Sequence, residues 1–138
     1  MDKQVEYLKK EDIKSYGDFI KEIFDYDIDL KVVEKLIKKN IVLIIKEDDK
    51  IVASATLEER FEYIKNKKYY NLSYLGVLKE YRRLGYASKI FDKIEELVKE
   101  NDIKYLELTS GNQRRIAHYF YKSKSFKIKD TTVFIKLY

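Results

Sequence analysis

The residues best suited to chemistry are Arg82, Arg83 and Gly85, which stand just before a predicted amphipathic helix. Aligned peptide dipoles already place partial positive charge at a helix N-terminus, so two cationic side chains there are unfavourable without a counterion. Glycine permits a positive φ and a close approach by a ligand, and such a turn aims several backbone N–H groups at one place. Arginine adds charge-assisted hydrogen bonds to phosphate. The pattern therefore predicts a site for an anion, with phosphate as a fitting ligand.

Two common phosphate motifs do not match this stretch. The Walker loop needs a lysine and a serine or threonine after its second glycine, and the dinucleotide motif is G-x-G-x-x-G. Residues 81–87, YRRLGYA, contain neither pattern. A plain strand-to-helix turn with solvated arginines is the alternative interpretation of these residues taken alone.

The turn lies between a predicted strand at 69–78 and the most strongly patterned helix of the chain. From Ala87 to Val98 the apolar residues recur at helical spacing, which places one apolar stripe on the helix. The other predicted elements, in chain order, are a strand at 4–8, helices at 11–25 and 30–39, strands at 41–45 and 51–63, a strand at 103–109, a helix at 113–124 and two short strands within 126–138. This order predicts an α+β fold with a mixed, mostly antiparallel, twisted sheet of about seven strands and about four helices.

Length and composition limit the class of protein. A chain of 138 residues with 45% hydrophobic residues predicts one domain, residues 1–138, with a core of its own. The net charge of +5 permits an anionic ligand without identifying one. Zero cysteine residues exclude disulfides, thiolate nucleophiles and cysteine metal sites. Because the start of the chain lacks the apolar core of a signal peptide, and the run at 41–45 is too short to span a bilayer, we expect a soluble cytoplasmic protein.

Three stretches carry a resemblance to a known family. Residues 82–87, RRLGYA, resemble the acetyl-CoA pyrophosphate loop Q/R-x-x-G-x-G/A of the GNAT superfamily of N-acetyltransferases. Residues 75–77, LGV, resemble the strand whose backbone pairs with the pantetheine arm in that family. Residues 117–126, AHYFYKSKSF, resemble its A-x-x-x-Y-x-x-x-G-F signature. The order of the three stretches and of the predicted elements agrees over nearly the whole chain, so it resembles a small single-domain member.

The sequence departs from the family pattern at two places. Ser125 replaces the usual glycine before Phe126, which affects the turn that leaves the last helix. The asparagine often found seven residues before the tyrosine corresponds to Arg114, and Asn112 is two positions away. We therefore carry over no asparagine contact.

The resemblance implies an acetyl-CoA-dependent N-acetyltransferase, which moves an acetyl group directly from the thioester to a primary amine of a small molecule or peptide through a tetrahedral intermediate. It implies that the backbone N–H of Val77 polarises the thioester carbonyl and that the phenol of Tyr121 protonates the leaving sulfur. The residues that it assigns to acetyl-CoA, the co-substrate, are Leu75, Val77, Arg82, Arg83, Leu84, Gly85, Tyr86, Ala87, Ser88 and Tyr121. It implies no metal, and one histidine, His118, cannot build a histidine-cluster site. We expect His118 to lie at the surface.

The general base is not assigned by the sequence. A lysine-like amine with a pKa of ~10.4 is almost wholly protonated at neutral pH, so a base or a water path must remove its proton. The stretch at 71–74, where several relatives place a glutamate, has no carboxylate. Glu58, Glu59 and Glu62 on the preceding strand are candidates, and solvated strand faces are the alternative.

Substrate and partners are also left open by the sequence. Asp25, Asp27 and Asp29 could attract a cationic amine, or could form a solvated acidic loop. A sensor of the same fold that binds acetyl-CoA without turnover is one alternative, and we expect no membrane partner, while a homodimer stays open. An RNA-binding α/β module is the less favoured alternative, based on a basic, aromatic hairpin formed by Lys65, Lys67, Lys68, Tyr69 and Tyr70.

Overall fold

The computed structural model describes residues 4–138, and their contacts divide the chain into two compact units. The first unit ends at Leu108 and the second spans Thr109–Tyr138. The organisation of the chain as one domain therefore stays a prediction. No helix in the described part of the chain is long and apolar enough to cross a membrane.

The first unit holds the sheet and three of the four α-helices found in residues 4–138. Its elements are β1 (Glu6–Tyr7), α1 (Ile13–Phe24), α2 (Leu30–Lys39), β2 (Ile41–Glu47), β3 (Lys50–Glu62), β4 (Lys67–Val77), α3 (Tyr86–Glu100) and β5 (Tyr105–Glu107). Short 3₁₀ helices precede α1 at Lys10–Asp12 and α3 at Lys79–Tyr81. The second unit holds α4 (Arg115–Ser123).

The five strands form one mixed sheet in the order β1-β2-β3-β4-β5. The first four are antiparallel neighbours, and β5 is parallel to β4 because α3 crosses over between them. The mixed, mostly antiparallel sheet predicted from the sequence is confirmed. β4 and β5 pair over only three residues of each strand, which matters for the site described below.

The core surrounds the two central strands. Residues 42–45 of β2 and 51–57 of β3 are buried without a break, so both faces of the sheet are covered there. α1 contributes buried Tyr16, Phe19 and Ile20, and α3 contributes Ile90, Phe91 and Ile94 at helical spacing. Each such side chain stabilises the fold by roughly 1.5–3 kcal/mol through apolar burial.

The prediction of two short strands within 126–138 is wrong. This segment forms no strand, and the described sheet has five strands rather than about seven. Val133, Phe134 and Ile135 have the residue types of a strand, yet their exposed fractions are 73%, 90% and 84%. A strand forms only when another strand satisfies its backbone, and residue type alone does not provide that partner.

Candidate active site

The edge of β4 is open beyond its short pairing with β5. β5 pairs with Tyr69–Asn71, so residues 72–77 of β4 have no strand on that side. The amide of Leu78 donates to Val52 on the β3 side at 2.8 Å. Because successive residues of an antiparallel strand alternate in direction, the N–H of Val77 points away from β3, toward the open edge. This is the direction that the role predicted for Val77 requires.

A β-bulge bends β4 just before Val77. Ser54 and Thr56 of β3 stand opposite Gly76 and Ser73, so three steps of β4 match two steps of β3. Tyr74 in this interval has a φ of 53°, in the left-handed region. Bulges of this kind increase local twist and end the regular pairing of a strand. The open edge of β4 is therefore a consequence of the local backbone.

Arg82 reaches the same edge from the following loop. Its guanidinium Nε donates to the carbonyl of Val77 at 3.1 Å. In a strand the N–H and C=O of one residue point to the same side, so the cation lies on the side of the Val77 N–H. Arg82 and Arg83 are exposed, and neither forms an ion pair with a carboxylate in residues 4–138. Both cations are available to an anionic ligand.

The loop into α3 leaves its amides without acceptors. Arg83 and Gly85 have φ values of 66° and 84°, and α3 begins at the next residue, Tyr86. Within the described residues, the N–H groups of residues 83–88 donate to no protein acceptor, and the first bond of the helix is Lys89 N–H to Gly85 C=O at 3.0 Å. A run of amides at a helix N-terminus is a site for a phosphate oxygen.

Gly85 leaves room for that phosphate. A Cβ placed on Gly85 would meet nothing within 4 Å, and Leu84 beside it is 59% exposed. Donors, two unpaired cations and open space thus occur together, so the residues present fit a diphosphate. The predicted anion site is supported here by backbone geometry as well as by residue type.

Tyr86 fixes the first turn of α3 to the sheet, a contact that the sequence analysis did not predict. Its side chain is buried, and its hydroxyl donates to a carboxylate oxygen of Glu47 at the end of β2. This hydrogen bond to an anion, and to a lesser extent burial, raise the pKa of Tyr86 above its usual value. The sequence contains a signal for this contact. Glu47 continues the alternating row of Leu43 and Ile45, so its side chain lies on an apolar face of the sheet, where a carboxylate needs a hydrogen-bond donor.

In the second unit, α4 ends in a Schellman motif that contains the candidate acid. Ser125 has a φ of 70°, its N–H donates to Lys122 C=O at 3.0 Å, and the N–H of Phe126 donates to Tyr121 C=O at 3.1 Å. The rings of Tyr121 and Phe126 meet edge to face with centroids 5.6 Å apart. The motif therefore explains why the family pattern has glycine at the position of Ser125 and an aromatic residue next to it.

Tyr121 is partly buried, and its surroundings shift the pKa of its phenol. Burial raises the pKa of the phenol above its usual value, and the positive charge of Arg114 partly opposes that shift. The phenol is protonated around neutral pH with or without this shift, and the raised pKa makes it a weaker acid. His118, on the same helix, is partly buried, and its Nε2 has no hydrogen-bond partner in the described residues.

The carboxylates considered as bases are engaged elsewhere. Glu58 accepts two bonds from Arg60 at 3.1 and 3.2 Å, and Glu62 accepts the backbone N–H groups of residues 64 and 65. Glu58 stands opposite Asn71, and Asn71 lies six residues before Val77 along β4, about 20 Å away at the rise of a strand. The strand register thus favours the alternative, solvated strand faces, over a direct base at Val77.

The acidic connection between α1 and α2 is also paired internally. Lys21 contacts Asp25 at 3.2 Å and Asp27 at 3.4 Å. Asp29 caps α2, because its carboxylate accepts the N–H of Lys31 at 2.9 Å. These contacts agree with a solvated acidic loop.

The hairpin considered for RNA binding has little free aromatic surface at the predicted residues. Tyr70 is 1% exposed, and its hydroxyl accepts from Asn101 at 3.1 Å. Tyr69 stacks on Tyr105 with ring centroids 4.5 Å apart. A base could stack on neither face of Tyr70, so the structure gives this alternative no further support. No group of histidine, aspartate or glutamate side chains arranged to hold a metal occurs in residues 4–138.

Comparison with known proteins identifies the family. The model of the acetyltransferase (GNAT) family matches residues 6–126, whereas no curated protein matches the chain. Among solved structures, aminoglycoside 6'-N-acetyltransferase AAC(6')-Ih from Acinetobacter baumannii has a TM-score of 0.84 at 18% identity, covering 99% of each chain. Ribosomal-protein-alanine N-acetyltransferase from Brucella melitensis has a TM-score of 0.84 at 13% identity, also covering 99% of each chain. A possible acetyltransferase from Clostridium difficile 630 has a TM-score of 0.79 at 20% identity, covering 99% of this chain and 97% of its own.

These identities show a shared fold, and the family match shows the chemistry in general terms. The match spans the open edge of β4, the amide loop and α4, so it includes all three stretches that carried the resemblance. The chain therefore belongs to the acetyltransferase (GNAT) family, has the GNAT fold and is an N-acetyltransferase.

Proposed function

We propose that this protein moves an acetyl group directly from acetyl-CoA to the primary amine of a small molecule or peptide. The observation that carries the proposal is the run of amides at 83–88, which donate to no acceptor within the described residues. Members of the family use acetyl-CoA, and its diphosphate is an anion of the size that such a run binds. The absence of cysteine agrees with a cytoplasmic location for this reaction.

The loop before α3 and the edge of β4 bind different parts of acetyl-CoA. The amides of residues 83–88 and the side chains of Arg82 and Arg83 hold the diphosphate, including the first-turn amides of Ala87 and Ser88. The backbone of Leu75 and Val77 pairs with the pantetheine arm along the open edge, as a further strand would. This proposal is supported by the direction of the Val77 N–H, which the register with β3 turns toward that edge.

Val77 and Tyr121 act on the reacting atoms in this proposal. Acetyl-CoA supplies a thioester carbonyl as the electrophile. The N–H of Val77 donates to the carbonyl oxygen, which gains negative charge as the amine nitrogen bonds to the carbon; donors of this kind contribute roughly 10²–10³ in rate. Tyr121 gives its phenolic proton to the sulfur as the carbon–sulfur bond breaks, and the proton that the nitrogen loses as the amide forms restores the phenol through water. The phenol holds this proton around neutral pH, because the usual pKa of tyrosine is about 10.

The acceptor amine loses its proton to water in this scheme. The carboxylates of β3 are paired, and the stretch at 71–74 contains none. Below the pKa of the amine, its neutral fraction rises tenfold for each pH unit. Turnover at low amine concentration is therefore expected to rise with pH across the neutral range.

A sensor that binds acetyl-CoA without turnover is the second candidate. One observation favours it: no free carboxylate stands near Val77 on β3 or β4 in the described residues. Sensor and enzyme share the binding loop, so only an assay of turnover separates them.

The test is release of free CoA thiol from acetyl-CoA in the presence of a panel of amines. The panel contains aminoalkylphosphonates, polyamines, an aminoglycoside and a peptide with N-terminal alanine; the last two are suggested by the names of the two fold neighbours. We expect thiol release that requires both protein and one class of amine. Stabilisation by acetyl-CoA without release for any amine favours the sensor. No stabilisation at millimolar acetyl-CoA overturns both candidates.

A further inference from the structure

One hydrogen bond ties the anion-binding loop to a distant part of the sheet. Tyr86 is the first residue of α3, and its side chain is only 7% exposed. Its hydroxyl donates to the carboxylate of Glu47, which lies 39 residues earlier in the chain. A buried phenol held in this way limits how the first helical turn can move.

Glu47 is itself held in a rigid setting. It pairs with Lys50 across a two-residue hairpin turn, in which Asp48 and Asp49 have φ values of 48° and 66°. These are the left-handed values of a type I′ turn, the turn that matches the twist of adjacent strands. Glu47 therefore presents its carboxylate from the end of a regular hairpin and not from a flexible loop.

We propose that Glu47 is a positioning residue for acetyl-CoA binding. Its bond to Tyr86 holds the first turn of α3 so that the amides of Tyr86, Ala87 and Ser88 face the diphosphate. This inference rests on the proposed function, because it assumes that the diphosphate binds at the loop. It assigns Glu47 no contact with the substrate.

The experiment measures the Kd of CoA by calorimetry for the full chain, four test variants and one control variant. Tyr86→Phe removes the hydroxyl and keeps the ring, Glu47→Gln keeps an acceptor and removes the charge, and Glu47→Ala removes both. The fourth variant combines Tyr86→Phe with Glu47→Ala. The matched control is Tyr81→Phe, because the Tyr81 hydroxyl forms no hydrogen bond in residues 4–138.

We expect Tyr86→Phe and Glu47→Ala to weaken CoA binding by about fivefold to tenfold, the usual effect of one hydrogen bond. The double variant is expected to bind no more weakly than the weaker of the two single variants, because both single changes remove the same bond. Glu47→Gln and the Tyr81→Phe control should stay within about twofold of the parent protein. Rescue by glutamine shows that the bond, and not the charge, is responsible.

Two results overturn the inference while leaving the proposed function intact. One is CoA binding by Tyr86→Phe as tight as that of the parent protein; a lower melting temperature of that variant would then show that the bond is purely structural. The other is a Glu47→Gln variant as weak as Glu47→Ala. A parent protein that does not bind CoA overturns the proposed function and this inference with it.

Discussion

Gly85 and Ser125 both have a left-handed φ, but one residue stands before a helix and the other after one. Gly85 precedes α3 with a φ of 84°, and Ser125 follows α4 with a φ of 70°. At Ser125 the local amides donate to carbonyls of the helix they follow. At Gly85 the amides of residues 83–88 donate to no acceptor in the described part of the chain. The amides at Ser125 therefore bond to the helix that they follow, whereas the amides around Gly85 can donate to a ligand.

This difference shows why a left-handed residue alone does not indicate a binding site. Nearly all backbone donors in a folded protein find acceptors, so a run that finds none has to be explained. At the end of α4 the explanation is complete within the chain, and the motif serves to hold Tyr121 against Phe126. At the start of α3 the amides have no acceptor within the described residues, and the proposed diphosphate would supply one.

Gly85→Asp is expected to have the largest effect, because it changes the loop before α3, whose amides have no acceptor within the described residues. The new carboxylate would stand in the space that a diphosphate needs, and two like charges about 5 Å apart repel by roughly 3 kcal/mol near a protein surface. We expect acetyl-CoA affinity to fall by more than about a hundredfold, so that the ligand no longer raises the melting temperature.

Gly85→Ala is the matched control for that variant. A Cβ at Gly85 meets nothing within 4 Å, so alanine costs only the strain of its left-handed φ, about 1 kcal/mol. Its melting temperature should fall slightly, and acetyl-CoA should still raise it. Equal loss of binding in both variants would show that backbone strain, and not charge, governs the loop.

Tyr121→Phe tests the end of α4, where the substitution is expected to lower turnover. Removal of a general acid usually lowers the rate by about 10²–10⁴, and water in the site can reduce that loss to the lower end. We expect the maximal rate of thiol release to fall by about a hundredfold. The Kd of acetyl-CoA, measured by calorimetry, should change by less than about threefold. An unchanged rate would remove Tyr121 from the mechanism.

Phe126→Leu should have a smaller effect of the same kind. Leucine keeps an apolar contact with Tyr121 but loses the edge-to-face ring geometry, which contributes about 0.5–1.5 kcal/mol. The maximal rate is expected to fall several-fold, and combination with Tyr121→Phe should add little. Additive losses in the double variant would mean that Phe126 acts independently of the Tyr121 hydroxyl.

Features set by neighbouring residues were predictable from the sequence. The predicted start of α2 is confirmed, because the side chain of Asp29 caps the helix locally. The turn into α3 was predictable because Gly85 stands directly before the helical pattern, and its φ is positive. Features set by distant partners were not. The bond between Tyr86 and Glu47, and the strand pairing that residues 126–138 do not form, both depend on which segments meet in space.

Ser125→Gly should have the smallest effect. It is the most direct test of the left-handed residue that follows α4. Glycine adopts the left-handed φ of Ser125 without strain but is more flexible in the unfolded chain, so the net gain is about 0.5–1 kcal/mol. We expect the melting temperature to rise by about 2–5 °C in calorimetry, with acetyl-CoA affinity unchanged. Ser125→Ala is the control, because alanine keeps the strain and should give no gain. If alanine stabilises as much as glycine, the benefit comes from loss of the serine hydroxyl, and the left-handed backbone at Ser125 is not the reason that the family pattern has glycine there.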